Sequence, residues 1–99
     1  MGATIDLTVR DAPDRDRYEA TTGDGRLAAI GAYRRQDDRL VFTHTETVPE
    51  FEGEGVASTL VRGALTDARS RGLQVVPRCP YVRAWIERHP DFADLVAPA

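Results

Sequence analysis

An α+β fold is expected from this chain, with one helix packed across a twisted, mostly antiparallel mixed sheet. Three observations lead there. The first half alternates apolar with polar residues and is cut by tight turns. From Val56 onward the apolar spacing becomes helical. A short apolar run, Leu73–Pro77, then follows the helix directly, as the returning strand of a crossover does. Ninety-nine residues suit a single domain, 1–99, with one modest core.

Thr4–Arg10 sets Ile5, Leu7 and Val9 against polar neighbours, which predicts a first strand with one buried face. Asp11–Asp16, charged and containing Pro13, reads as a turn. Arg17–Thr22 is a second strand, and "GDG" at Gly23–Gly25 is a hairpin signal. Arg26–Arg35 and Leu40–Val48 flank "QDD" as third and fourth strands. Strands joined this tightly must be antiparallel, because a parallel pair needs a long crossover. Val56, Leu60, Val61, Ala64, Leu65 and Ala68 mark one face of a helix of about sixteen residues, stopped by Gly72. The strand Leu73–Pro77 is then expected beside the fourth and parallel to it. A last helix, Pro80–Arg88, presents Val82, Trp85 and Ile86, and "HPDFADLV" closes the pattern.

The net charge of −3 argues against nucleic acid, whose binding needs a surplus of cations. All thirteen cations are arginine and no lysine occurs, so the chain has no ε-amine of its own to be acylated. No apolar run approaches the roughly 18 residues of a membrane span. "MGATIDLTVR" lacks the basic and then apolar layout of a secretory leader, so a cytoplasmic location is expected. The single cysteine, Cys79, excludes an internal disulfide. With His44 and His89 as the only histidines, no zinc-type spacing exists and no metal is expected.

Two stretches bear chemistry. In "VPEFEGEGVASTLV", Gly53 and Gly55 stand just before the helix, whose first N–H groups lack internal partners and whose end carries about half a positive charge. Glycine lets the backbone approach an anion closely there. Glu50, Glu52 and Glu54 oppose an anion, but an exposed carboxylate ~6 Å from a phosphate costs only about 0.7 kcal/mol. Each N–H bonded to a charged oxygen returns about 1.5–3 kcal/mol. A plain turn is the alternative. In "VVPRCPYVRAWI", Pro80 suits the first helical position and leaves Cys79 as N-cap, where a helix end favours a thiolate nucleophile. An inert core cysteine is the alternative there. His44 and Glu46 are two apart on one strand and share a face, from which either could take a proton. A polar strand face that meets solvent is the alternative, and spacing alone favours it. Tyr33 and Tyr81 are further acids by type alone.

Taken in order, "HTETVPEFEGEGVASTLV", the amphipathic helix, "VVPRCPYV" and "HPDF" resemble the small Cys/Gly-type (YjdJ-type) branch of the GNAT N-acetyltransferase superfamily. The resemblance runs from about Thr4 to Val96. It implies a minimal GNAT fold, splayed between the fourth and fifth strands, with acetyl-CoA in the gap as co-substrate. Glu50, Gly53 and Gly55 match the superfamily's Gln/Arg-x-x-Gly-x-Gly/Ala motif. The amides of Gly53, Glu54, Gly55, Val56, Ala57 and Ser58 would then hold the pyrophosphate, and Thr47 and Val48 would pair with pantetheine. Cys79 matches the branch's cysteine near the acetyl group, which implies an acetyl-cysteine intermediate, with His44 or Glu46 as proton acceptor. The implied acceptor is an aliphatic amine on a small molecule or a macromolecule. Glu50 and Glu52 depart from the Gln or Arg of relatives, for which Arg62, Arg83 or Arg88 would have to compensate. A non-catalytic acyl-CoA-binding or protein-interaction module is the competing function.

Overall fold

The computed structural model describes residues 6–98, and among these five strands form one sheet. They are β1 (Leu7–Ala12), β2 (Arg17–Thr22), β3 (Leu27–Gln36), β4 (Arg39–Thr47) and β5 (Gln74–Pro77). They lie side by side in chain order. The first three pairings are antiparallel and β4–β5 is parallel. Helix α1 (Val56–Ser70) connects β4 to β5, and α2 (Pro80–Arg88) follows β5 before a 3-10 turn at Pro90–Leu95. The α+β architecture and the mixed sheet are those expected from the apolar periodicity. No helix among the described residues is long and apolar enough to cross a membrane.

Element limits differ mainly at the first strand. Its predicted start, Thr4 and Ile5, lies outside the described residues. Its end runs past Arg10 to include Asp11 and Ala12, which had read as turn. Asp11 stays in the strand because its carboxylate is satisfied on the inner face, by Tyr33 and Arg71.

The core lies on one side of the sheet only. Val56, Leu60, Val61, Ala64, Leu65 and Ala68 of α1 are all buried, as their spacing requires. Against them stand Tyr18, Ala20, Tyr33, Leu40, Phe42 and Val75 from the strands, with Val82 and Trp85 from α2. Gly63 lets α1 descend onto β1: a Cβ there would come within 2.7 Å of Val9 Cβ. The opposite face of the sheet carries no helix and bears Arg17, Glu19, Ile30, Ala32, His44 and Glu46 in register across three strands.

The end of α1 is tied to the sheet by one polar network. Arg71 donates to Asp11 and to Asp67, each at 2.9 Å. Tyr18 Oη donates to Asp67 at 2.5 Å, and Tyr33 Oη donates to Asp11. Three strands and a helix C-terminus thus share one guanidinium. The rings of Tyr18 and Tyr33 pack together and against Phe42, with centroids 5.6–6.1 Å apart. Burial, then the bond to Asp67, pushes the Tyr18 phenol well above the usual tyrosine range. Burial and Asp11 do the same to Tyr33. For Asp67 burial acts upward, but the bonds from Tyr18 and Arg71 outweigh it and the carboxyl lies below its ordinary value. The Arg17 bond likewise holds Glu19 low.

Arg71→Met should lower stability by about 1–2 kcal/mol, since the partners are only partly shielded. Urea denaturation measures this, and an unchanged midpoint would show that the network contributes nothing. The two raised phenols stabilise the fold fully below about pH 10, and that contribution is lost as pH rises further. The depressed Asp67 and Glu19 contribute fully above about pH 4, and that is lost as pH falls. Thermal melts should therefore drop at both extremes. An ultraviolet titration should show two of the three tyrosines ionising only as the protein unfolds. Ionisation of all three in the folded protein would contradict the network.

Candidate active site

The turn at Arg78, whose N–H bonds back to Val76 O at 3.1 Å, decides where the sheet opens. β4 and β5 pair from Arg39 with Gln74 to Phe42 with Pro77. Pro77 has no N–H, but by the alternation that points the Val75 carbonyl to Ala97 it faces away from β4, as Gln74, Val76 and Arg78 do not. The chain turns at Arg78, and the Cys79 N–H makes the last bond between the two segments, to Phe42 O at 2.8 Å. Pro80 also lacks a donor and begins α2. β4 continues through Thr47 with no strand on that side. The strands therefore part at Cys79, which is the splay expected between the fourth and fifth strands.

A β-bulge determines what faces this opening. Ala32 pairs with His44 but Tyr33 pairs with Phe42, so Thr43 is an extra residue on β4. Such a residue reverses the alternation of everything after it. Without it Leu40, Phe42, His44 and Glu46 would share the inner face. With it Thr45 turns inward, toward Gly31, Leu60 and Val82, while His44 and Glu46 turn outward. Cys79, 4% exposed, has its Sγ 3.3 Å from Thr45 Oγ1. His44 Nε2 and Glu46 Oε2 are 4.0 Å apart and well exposed. Thus the strand brings His44 and Glu46 together, but on the face opposite the thiol's partner. A cavity of about 630 Å3 runs along the end of β4, lined by Thr45, Glu46, Thr47, Val48 and Glu52, with Arg17 and Ile30 from the helix-free face. Glu46 borders it and His44 does not.

The glycine loop has the backbone an anion requires. Gly53 and Gly55 take φ of 83° and 74°, and Gly55 is the N-cap of α1 with no side-chain cap. Space is open where a Cβ would stand at either glycine. Phe51, buried at the end of a 3-10 turn (Pro49–Phe51), anchors the loop. The amides of Val56, Ala57 and Ser58 are the donors that a helix start leaves unpaired. The Ser58 hydroxyl accepts the Trp85 indole N–H at 2.8 Å, which couples the first turn of α1 to α2. Thr47 borders the cavity, whereas the Val48 N–H is already given to Ala28 O and its carbonyl accepts from Phe51.

The three acidic residues of the loop are not equivalent. Arg26 donates to Glu50 at 2.6 Å and stands 5.2 Å from the centre of the Phe51 ring. Glu50 is therefore drawn toward the β2–β3 hairpin and largely neutralised. Glu52 and Glu54 form no ion pair among the described residues, and Glu52 faces the cavity. Of the arginines that could compensate, Arg62 lies over the rings of Trp85 and Phe92. Arg83 reaches back to the Arg78 carbonyl, and Arg88 is at the far end of α2 from Cys79.

Three participants were missed by the sequence reading. Thr45 was hidden by the bulge, although the strict alternation of "THTET" does oppose it to His44 and Glu46. The ties of Ser58 to Trp85 and Arg26 to Glu50 span 27 and 24 residues and leave no local signal.

The description "GCN5-related N-acetyl-transferase" belongs to the family model that matches residues 17–95. A GCN5-like protein from Staphylococcus aureus, solved in solution by NMR, superposes with a TM-score of 0.69 at 18% identity. The match covers 95% of this chain and 91% of that one, and shows a shared fold. A nourseothricin acetyltransferase aligns at a TM-score of 0.44 and 21% identity, over 93% of this chain and 69% of its own. No curated protein sequence matches significantly. With the match spanning most of its length, including the glycine loop and Cys79, the chain belongs to the GCN5-related N-acetyltransferase family and is an acetyltransferase.

Proposed function

We propose that this protein moves an acetyl group from acetyl-CoA to an aliphatic amine through an acetyl-cysteine at Cys79, as in the Cys/Gly-type branch, with residues 1–99 acting as one domain. The observation that carries this is the thiol at the fork, next to Thr45 and at the N-terminus of α2. The loop fits the co-substrate: uncapped amides at Val56, Ala57 and Ser58, positive-φ glycines with open space, and an unpaired β4 edge leading to Cys79. Gly53, Glu54 and Gly55 would place the pyrophosphate on those amides. Thr47 and Val48 would line the pantetheine path.

In this reading the Cys79 sulfur attacks the acetyl carbonyl, an S–C bond forms, and the C–S bond to CoA breaks. The thiol proton leaves with the CoA sulfur. Thr45 Oγ1, at hydrogen-bond distance, holds and orients the Cys79 sulfur. The amine then attacks the acetyl carbon, C–N forms and S–C breaks, and the thiol is restored. The amine arrives as its ammonium form and loses two protons: one restores the thiol, and the other passes to Glu46, which borders the cavity, with His44 beside it to relay it outward. An amine arriving from the helix-free face meets these two residues first. The near-complete burial of Cys79 favours one second reading, direct attack by the amine with no acylated cysteine.

Intact-protein mass spectrometry after incubation with acetyl-CoA separates the two. With no lysine present, the expected single acetyl adduct lies on Cys79, is removed by hydroxylamine, and is lost in Cys79→Ser. CoA binding without an adduct would instead establish direct transfer or a non-catalytic CoA-binding module. No CoA binding would overturn both routes. Glu52→Arg should tighten CoA binding up to about tenfold, since reversing one charge ~6 Å from a phosphate is worth about 1.4 kcal/mol. Unchanged affinity by calorimetry would mean that Glu52 faces away from the phosphates.

A further inference from the structure

The helix-free face of the sheet carries a second cavity, away from the glycine loop. Arg34 on β3, Arg39 on β4 and Arg78 just after β5 surround a cavity of about 620 Å3. Its floor is Val41 and Val76, paired in register, and Thr43 forms its edge. No carboxylate lines it among the described residues. Of the thirteen arginines, Arg15, Arg17, Arg26, Arg69 and Arg71 each meet an acid and the other eight meet none among the described residues. Arg34, Arg39 and Arg78 meet none among the described residues, although the chain is acidic overall. The partly buried Arg39 is the middle one of the three.

Three guanidiniums with no counterion among the described residues repel one another and cost stability unless an anion joins them. Adjacent strands are ~4.8 Å apart, so cations rooted on three neighbours span roughly 10 Å. That is the width of a compact molecule with several acid groups. The cavity volume lies in the usual range of small-molecule sites, about 300–1,000 Å3. A folded protein partner is a poor fit, because the only large apolar side chain exposed among the described residues is Tyr81 on α2. A nucleic acid would also meet Glu46 and Glu19, which lie farther along the same face.

We propose that this cavity binds a small organic polyanion, with two or three carboxylate or phosphate groups held in bidentate fashion by Arg34, Arg39 and Arg78. The apolar stem of the ligand rests on Val41 and Val76, and Thr43 donates to one acid group. Arg78 adjoins Cys79 in sequence and Thr43 is two residues from Thr45, so the occupant lies beside the fork without using the glycine loop.

Amide NMR spectra of the full chain, titrated with citrate and separately with pyrophosphate, test this. The expected result is saturable shifts at Val41, Thr43 and Val76 with at least one probe, and the stronger probe identifies the acid group. Arg39→Gln should weaken that response about tenfold or more, as loss of a charge-assisted pair does. Arg39→Lys, which keeps the charge and loses the fork, should be intermediate and reports on whether the change is merely structural. No shifts, or shifts confined to Gly53–Ser58, would overturn the site. Equal affinity in Arg39→Gln would also overturn it. CoA binding is read in the same samples, so loss of either site is distinguished from loss of the other.

Discussion

A single hydrogen bond, from the Cys79 N–H to the carbonyl of Phe42, governs the arrangement of this protein's working parts. It is the last backbone bond between β4 and β5: the N–H before it, that of Arg78, turns back to Val76 O, and the residue after it, Pro80, has no N–H. From this bond the chain can only leave the sheet. It does so directly into a helix, so the turn at Arg78 and Pro80 together end a strand pairing, open a cleft and place a thiol at a helix start. The sheet is otherwise continuous from β1 to β4, stiffened by the Arg71 network at the opposite end of α1. One end of the molecule is locked by charge and the other is left open by the turn at Arg78.

Much of this was legible in the residues. The six apolar positions of α1 gave its length and its buried face because a helix has one period and nothing interrupted it. Pro80 marked the start of α2 and hence the N-cap role of Cys79, a purely local rule. The hairpin signals gave strand order, since short turns allow only neighbours. What failed to show was geometry set by partners. The extra residue at Thr43 inverts the faces of everything after it, and nothing in "VFTHTET" says that one residue there is unpaired. Register is a property of two strands, so the placement of Thr45 against Cys79 required both.

The charge distribution had the same character. A net charge of −3 suggested a mildly acidic surface with no preference. Folding separates the signs along the helix-free face, with Glu46 and Glu52 toward the end of β4 and Arg34, Arg39 and Arg78 toward its beginning. Exposed charges of opposite sign more than about 10 Å apart are largely independent in physiological salt. The two ends can thus serve different ligands without cancelling. Composition averages over such a separation, and only the strand register reveals it.

Trp85 has a consequence of its own. It is the sole indole of the chain, is fully buried, stacks on His89 at 3.8 Å, and donates its N–H to Ser58 in the first turn of α1. The hydroxyl it uses belongs to the turn whose amides are free for an anion. The chromophore is therefore tied to the start of α1 through one hydrogen bond, so a rearrangement of that turn reaches the indole directly, without any label.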